Sequence, residues 1–209
     1  MPTLRPITSH ADILTYHRFR YEIYANSLQR GFLAEQAGSD TDEYDANALH
    51  LGWYEGDELV GCVRLLSPIK GGDPLHLFKD LSDPGLRERA QLLLWERRRN
   101  GGTICEVSRL CLAPEKRSLA TTRRFVLAII ATAHRYGRND CLFTCDKQHA
   151  SFWQRMGFTV PEAFDGYARI RSTRPGYLMQ GSYRELLAKN RAELQEVGLL
   201  MAAPLLAAA

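Results

Sequence analysis

The sequence has few of the features that mark membrane, secreted or metal-binding proteins. Its apolar runs are short, and Phe125–Ala131 is among the longest, whereas a membrane-spanning helix needs roughly 20 residues. The N-terminal residues lack a basic stretch followed by an apolar core, so no secretion signal is predicted. The six histidines show no His-x-His or His-x-x-x-His spacing, so no metal site is predicted. We therefore expect a cytoplasmic protein with neither a membrane span nor a bound metal.

Paired disulfides and two common catalytic motifs are also missing. The five cysteines are odd in number, include no Cys-x-x-Cys pair, and each lies in an apolar, strand-like segment. That pattern is typical of buried, reduced thiols. The chain has no Walker or dinucleotide-type glycine loop and no nucleophile elbow, so neither type of site is predicted.

The net charge is small but unevenly distributed along the chain. The total of +3 is too weak to indicate nucleic-acid binding. Residues 1–60 hold 4 basic and 10 acidic side chains, whereas residues 61–209 hold 23 basic and 14 acidic ones. This distribution has two interpretations. In the first, the charges belong to solvated faces with no special role. In the second, they form two surfaces of opposite charge, one for a cationic ligand and one for an anionic partner.

Hydrophobic periodicity predicts alternating helices and strands without an internal repeat or a linker. We expect one domain over residues 1–209, with a frayed tail at about 199–209. The order favours an α+β fold, a three-layer sandwich with a central mixed, twisted sheet and helices on both faces. The predicted helices are Ala11–Leu28, Leu86–Arg98, Ser118–Tyr136, His149–Met156 and one from Ser182 to about Val197, which Ser182 and Glu185 are predicted to begin with a capping box. The predicted strands are Ala48–Tyr54, Glu58–Ser67, Thr103–Leu112, Cys141–Cys145, Phe158–Val160, Tyr167–Arg171 and Tyr177–Gln180.

Charged and polar residues interrupt two apolar strands. Glu106, Ser108 and Arg109 lie within one strand, and Arg64 lies within another. Strand alternation places Glu106 and Ser108 on one face and Arg109 on the other, unless a bulge intervenes. Because buried charges are costly unless paired, these residues form either a structural ion pair or a site carboxylate held by arginines.

Two further clusters are candidates for binding. Asp42 and Asp45 lie in an acidic segment with Arg20 upstream, which is either a solvated loop or a patch for an amine-bearing acceptor. Phe152 and Trp153 precede a Met-Gly-Phe sequence and form either core packing or an apolar wall.

Together these motifs resemble the acyl-homoserine lactone (autoinducer) synthases and the related N-acyl amino acid synthases, within the GNAT-type N-acyltransferase superfamily. The similarity spans roughly residues 19–183 and rests on five motifs in the same order. These are Arg20-x3-Tyr24-x3-Leu28, the acidic pattern around Asp42 and Asp45, Arg64 in VGCVRLL, Glu106-Val107-Ser108-Arg109, and Phe152-Trp153-x2-Met156-Gly157-Phe158.

The resemblance implies transfer of a fatty acyl group from a thioester to an amine, which yields an N-acyl amino acid or acyl-homoserine lactone type of quorum-sensing signal. Its expected site residues fall into four groups. The catalytic group is Glu106, Arg109 and Ser108, with Glu106 as the base. The acceptor-binding group is Arg20, Asp42, Asp45 and Arg64. The group for the acyl chain and thioester is Leu110, Leu112, Phe143, Phe152 and Trp153. The group for docking of a carrier protein is Lys116, Arg117, Arg123 and Arg124.

The expected substrates are an acyl carrier protein or acyl-CoA as the donor and a small amine as the acceptor, with S-adenosylmethionine as an alternative acceptor. No tightly bound cofactor is expected. The segment Pro114–Ala120 has no glycine where the superfamily binds a pyrophosphate, which suits a donor anchored by its carrier protein. Two alternatives remain open, namely an acetyl-CoA-dependent N-acetyltransferase and a non-catalytic ligand-binding domain of the same fold.

Overall fold

The structure is a computed structural model that describes residues 2–26, 38–67, 75–164, 168–170 and 174–199. Within these ranges the chain forms seven strands and seven helices, besides short 3-10 turns. The strands are β1 (Thr3–Pro6), β2 (Ala48–Glu55), β3 (Glu58–Leu66), β4 (Ile104–Leu112), β5 (Asp140–Asp146), β6 (Ala168–Ile170) and β7 (Arg174–Ser182). The helices are α1 (His10–Ala25), α2 (Leu77–Asp80), α3 (Pro84–Arg99), α4 (Leu119–Arg135), α5 (Ala150–Met156), α6 (Tyr183–Lys189) and α7 (Arg191–Glu196).

The strands form one open, mixed sheet in the order β1-β2-β3-β4-β5-β7-β6. Strands β1, β2 and β3 pair antiparallel, as do β5, β7 and β6. Strand β4 pairs with β5 in parallel, with Ile104 opposite Asp140 and Glu106 opposite Leu142. The predicted α+β class with a mixed sheet is confirmed. No helix in the described ranges is long and apolar enough to cross a membrane.

The chain divides into two compact units whose boundaries fall at the end of β3, within β4 and within α4. Unit 1 comprises residues 1–66 and 107–129, and unit 2 comprises residues 67–106 and 130–209. Most of the polar candidates from the sequence lie in unit 1, whereas Glu106 and the aromatic candidates lie in unit 2.

Unit 1 is built around α1 and the antiparallel strands. Helix α1 begins after Ser9, whose side chain accepts the Asp12 N–H. Its inward face packs Tyr16 and Tyr24 against Cys62 of β3 and Cys111 of β4. The same inward face carries Arg20, so α1 brings a charged group into the interior.

Unit 2 is held by the pairing of β5 with β7 and by an aromatic cluster. Helix α3 begins after Asp83, whose side chain accepts the Leu86 N–H at 2.9 Å. The ring of Phe143 lies 4.7 Å from that of Trp153 and 5.2 Å from that of Phe158. Gly157 ends α5 with φ of 110°, a left-handed conformation that favours glycine.

The structure departs from the predicted elements in three places. Phe158–Val160 is not a strand, since only Thr159 forms an isolated bridge to Gln180. The helix predicted from Ser182 is interrupted at Asn190, whose side chain donates to the carbonyl of Leu186. Ser182 makes no side-chain capping hydrogen bond, so the predicted capping box is wrong.

The remaining predicted elements are found with ends shifted by a few residues. The end of the first predicted helix, residues 27–28, lies outside the described residues. The same holds for residues 167 and 171 and for most of the predicted frayed tail, which is described only at Leu199.

Candidate active site

Unit 1 contains a closed ring of alternating charges, which we call the ion ring. Each of its three arginines contacts two aspartates, and each aspartate contacts two arginines. Its members, in order, are Arg20, Asp40, Arg109, Asp42, Arg64 and Asp45. Because positive and negative members are equal in number, the ring carries no formal net charge.

The contacts around the ring are short. Arg20 lies 2.7 Å from the Asp40 carboxylate and 2.8 Å from that of Asp45. Arg64 Nη1 reaches Asp45 at 2.8 Å and Asp42 at 2.6 Å. Arg109 closes the ring by contacting Asp40 and Asp42.

Arg109 has φ of 53°, the left-handed conformation that non-glycine residues seldom adopt. This turn of the backbone interrupts strand alternation in β4. As a result Ser108 and Arg109 both face the ring, where Arg64 Nε donates to Ser108 Oγ at 3.1 Å. Arg109 lies 3.0 Å from Asp40 and 3.1 Å from Asp42. Strand alternation alone, which places Arg109 on the face opposite Ser108, is therefore wrong here. The interruption of the strand, an exception that the sequence-based prediction allows, brings both side chains to one side.

The ring is shielded from solvent to different degrees. The side chains of Arg20 and Arg64 are 0 % exposed, whereas those of Asp42 and Asp45 are 15 % and 10 % exposed. Burial raises the pKa of Asp42, but hydrogen bonding to Arg64 outweighs burial and the pKa is lowered. Burial also raises the pKa of Asp45, and Arg20 and Arg64 outweigh it so that its pKa falls well below the usual range. Both carboxylates are therefore ionised near neutral pH.

Two polar atoms of the ion ring make no hydrogen bond to the described residues. Within the described ranges, Arg64 Nη2 and Asp40 Oδ1 are buried and have no hydrogen-bond partner. Buried polar atoms are usually paired. The ring therefore keeps at least one donor and one acceptor that its own members leave unused.

Two histidines flank the ring, and sequence spacing did not reveal them. His17 Nδ1 lies 2.8 Å from the Asp40 carbonyl oxygen, and His50 Nε2 lies 3.0 Å from that of Asp45. One potential ligand atom from each of His17, His50 and Asp45 lies within 4.8 Å of the others. The Asp45 carboxylate is already held by two guanidinium groups, which would repel a metal cation.

Glu106 lies in unit 2 on the buried part of β4. It is 2 % exposed, and its Oε2 accepts the backbone N–H of Leu77 at 2.9 Å. Leu77 is the first residue of α2, so this bond fixes the carboxylate at the start of that short helix. Sequence periodicity predicts no helix at the position of α2.

The aromatic residues for which core packing and an apolar wall are both open interpretations lie in unit 2. The rings of Phe143 and Trp153 are 4.7 Å apart, and those of Phe152 and Trp153 are 5.1 Å apart. Phe143 is 5 % exposed, while Phe152 and Trp153 are half-buried. These three residues are therefore neighbours, as their proposed common role requires.

The basic residues predicted to dock a carrier protein all lie in unit 1. Lys116 Nζ lies 2.5 Å from the Glu55 carboxylate, and Arg117 Nε donates to the carbonyl of Leu112 at 3.0 Å. Arg123 and Arg124 lie side by side in the first turns of α4 and are half-buried. Leu110 lies between Arg109 and the end of β4 and is half-buried as well.

Comparison with protein families gives a match over most of the chain. The family model of the N-acyl amino acid synthase FeeM matches residues 15–182. No curated protein sequence matches the chain.

Solved structures give matches at low sequence identity. The chain is similar to FeeM, an N-acyl amino acid synthase from uncultured soil microbes, with a TM-score of 0.62 and 15 % identity over 90 % of this chain and 94 % of that one. It is similar to BjaI, a CoA-dependent acyl-homoserine lactone synthase solved with SAM and isopentyl-CoA. The TM-score is 0.69, with 16 % identity over 99 % of this chain and 96 % of that one. The acyl-homoserine lactone synthase LasI matches with a TM-score of 0.57 and 13 % identity over 88 % and 89 % of the two chains. At such identities the likeness concerns the fold, and the predicted GNAT-like fold is confirmed.

Proposed function

The chain belongs to the N-acyl amino acid synthase family, and from that premise we propose that it transfers a fatty acyl group from a thioester to the amine of an amino-acid-like acceptor. The family match over residues 15–182 carries this proposal. In the reaction the amine nitrogen bonds to the thioester carbonyl carbon, the carbon–sulfur bond breaks, and the proton that the amine loses ends on the sulfur of the released thiol. The protein must therefore bind the acceptor, take up a proton and stabilise a transient oxyanion.

We assign acceptor binding to the ion ring. Asp42 and Asp45 are its partly exposed members, and their carboxylates, which the lowered pKa values keep ionised, would accept hydrogen bonds from the N–H groups of an uncharged amine. Arg64 retains a buried donor without a partner among the described residues, which suits a carboxylate. The ring thus offers hydrogen-bond acceptors for the amine and a donor for the carboxylate of an amino acid.

The same lowered pKa values make Asp42 and Asp45 weak bases. Efficient general bases have a pKa near the working pH. Proton removal therefore falls to another group, and Glu106 is our candidate, acting directly or through a water molecule. Its hydrogen bond to Leu77 N–H holds the carboxylate in a fixed orientation.

We assign the oxyanion to the backbone of β4 after Arg109. The left-handed conformation at Arg109 redirects the following peptide groups, and a backbone N–H between Leu110 and Leu112 would donate to the thioester oxygen. Phe143, Phe152 and Trp153, which contact one another in unit 2, would line the acyl chain.

The donor is proposed to be an acyl carrier protein, with acyl-CoA as the alternative. Carrier proteins are acidic, and Lys116, Arg117, Arg123 and Arg124 form a basic group on unit 1 that would attract one. Lys116 pairs with Glu55, and an acidic carrier protein would compete for that pair, whereas Arg123 and Arg124 lie side by side in the first turns of α4. The glycine-free segment Pro114–Ala120 supports the same choice.

The experiment that tests the function compares wild type with Glu106→Gln. Mass spectrometry of lipid extracts from overproducing cells should show an N-acyl product, and purified enzyme should form it from acyl thioesters and an acceptor panel of amino acids and S-adenosylmethionine. Glu106→Gln should lower kcat about 100-fold or more. The fold should persist, because the glutamine oxygen still accepts the Leu77 N–H.

Glu115→Gln is the matched control, since Glu115 is an exposed acid just beyond β4. A Glu106→Gln enzyme with wild-type kcat would remove Glu106 from the base role without affecting the family assignment. Acetylation of the panel by acetyl-CoA, without any fatty acyl product, would instead favour the N-acetyltransferase alternative.

A further inference from the structure

Helix α3 of unit 2 presents two large apolar side chains to solvent. Leu92 is 54 % exposed and Trp95 is 56 % exposed, whereas Ala90 and Leu94 of the same helix are buried at 0 % and 2 %. Residues three apart are neighbours on a helix surface, so Leu92 and Trp95 form one outward patch. The helix therefore has an apolar inner side and a second apolar patch facing outward.

Charged residues of both signs border this patch. Glu88 and Glu96 lie four residues from Leu92, and Arg98 and Arg99 lie three and four residues from Trp95. The helix carries five arginines and two glutamates, and the exposed members are Arg87, Glu88, Arg89, Glu96, Arg98 and Arg99. The Arg99 guanidinium lies over the Trp95 ring, 5.3 Å from its centroid. Glu88 and Glu96 oppose the positive charge, and the exposed part of the helix remains net positive.

Arg97 faces the other way and does not belong to the patch. It lies 3.6 Å from Asp140 and 3.4 Å from the Gln180 side-chain oxygen. With Leu93 it lines a cavity of about 140 Å³ between α3 and the strands of unit 2. The inner side of α3 thus packs within unit 2, whereas the outer side faces solvent.

We propose that the outward face of α3 docks the protein on an anionic lipid bilayer. A helix that lies in a membrane interface combines tryptophan and leucine on one side with basic residues around them. The tryptophan ring suits the boundary between headgroups and acyl chains, and arginine side chains can extend from an apolar surface to lipid phosphates. The 16-residue helix is about 24 Å long, enough to bring arginines at both ends to headgroups at once.

The net positive charge of the exposed part of α3 favours an anionic bilayer over an uncharged one. Each basic residue near an anionic leaflet strengthens binding and each acid opposes it. Binding should therefore need anionic lipid and weaken with salt, because the electrostatic part is screened. An N-acyl amino acid would partition into the same bilayer, so docking would place synthesis where such a product resides.

Sedimentation with extruded vesicles tests the proposal on the full chain. We expect binding to vesicles of phosphatidylcholine with 30 mol % phosphatidylglycerol, about tenfold weaker binding to pure phosphatidylcholine, and weaker binding as NaCl is raised. The double variant Leu92→Ser and Trp95→Ser should lose about tenfold in binding. Arg98→Gln with Arg99→Gln should weaken binding to the anionic vesicles alone.

Leu119→Ser is the matched control, since Leu119 is an isolated leucine, 67 % exposed, on another helix. All variants keep residues 200–209, which are also apolar in sequence, so a loss in the double variant belongs to α3. Equal binding to both kinds of vesicle, no binding at low salt, or unchanged binding of the double variant would overturn the proposal. So would a double variant that binds vesicles normally but loses affinity for an acidic carrier protein, since α3 would then be a protein-docking surface.

Discussion

At the scale of single residues, the ion ring explains how unit 1 tolerates charges in its interior. Arg20 and Arg64 are fully buried, and a buried charge without a partner is strongly destabilising. Each guanidinium here contacts two carboxylates, which satisfies the planar fork of arginine better than one partner would. Removing one member therefore affects two neighbours at once.

His50 makes unit 1 sensitive to mild acid. Burial lowers the pKa of His50, and the hydrogen bond to the Asp45 carbonyl only partly offsets it. The unfolded chain therefore takes up the His50 proton first as the pH falls through about 6.5. We expect the free energy of unfolding to decline from that pH toward the lower pKa of the folded protein.

The substitution His50→Gln should flatten that decline, because glutamine does not titrate and its amide can still donate to the Asp45 carbonyl. Chemical denaturation at pH 7.5 and pH 5.5 measures the effect, with the exposed His134→Gln as control. An unaltered pH dependence in the His50 variant would contradict this account. Asp42 and Asp45 act in a separate range, since carboxylates with lowered pKa values lose their stabilising effect only below about pH 4.

At the scale of elements, β4 combines two opposing effects at one position. Arg109 adopts a left-handed backbone conformation, which costs about 1 kcal/mol or more for a residue with a side chain. Its guanidinium meets Asp40 and Asp42, and breaking such a buried pair costs about 3–5 kcal/mol. The ion pairs should therefore outweigh the strain.

Arg109→Gly and Arg109→Lys separate these two effects. Glycine relieves the strain but leaves Asp40 and Asp42 with one positive partner fewer, so we expect a net loss of about 2–4 kcal/mol in unfolding free energy. Lysine keeps the charge and the strain but loses the fork, so its loss should be smaller. Urea denaturation of both proteins checks the ranking. A glycine variant as stable as wild type would show that the backbone, rather than the ring, dominates at this position.

The elements that sequence predicted are those with strong local patterns. The hairpin of β2 and β3, the strand β4 and the helix α4 all have clear periodicity, and all are found. Two short elements, Thr3–Pro6 and Leu77–Asp80, contain four residues each, too few to show a period. The break at Asn190 was missed because its cause is tertiary, since the Asn190 amide also donates to the distant Met156 carbonyl.

The candidate site was predictable as a set of residues but not as an arrangement. Buried charges in apolar strands singled out Arg64 and Arg109, and clustered acids singled out Asp42 and Asp45. Asp40 was not among the predicted site residues, because nothing in the neighbouring sequence distinguishes it from a solvent-exposed aspartate. Closure of the ring depends on the left-handed backbone conformation at Arg109. The sequence of β4 has no glycine or asparagine that would predict such a conformation.

At the scale of the whole molecule, folding removes most of the charge asymmetry seen along the chain. Residues 1–60 have a net charge of −6 by sequence count. Unit 1 adds later segments to these residues and holds 10 basic and 11 acidic side chains in all. Arg64, Arg109 and Lys116 are among the additions and pair with acids of the early segment. The acidic stretch is therefore largely an internal counter-charge, and the interpretation as a broad anionic surface is too simple.

Arg123 and Arg124, in the first turns of α4, are the part of unit 1 that we propose meets an acidic donor. Arg123→Glu with Arg124→Glu should raise the KM for an acyl carrier protein donor about tenfold and leave the KM for acyl-CoA within about twofold, because rim charges act mainly on encounter. Arg18→Glu on α1 is the control, as it reverses an exposed arginine elsewhere in unit 1. Steady-state kinetics with both donors at two NaCl concentrations measures the effect, and salt should weaken only the carrier-protein reaction. Equal changes for both donors would place Arg123 and Arg124 in the common catalytic machinery or in the fold, and would count against docking.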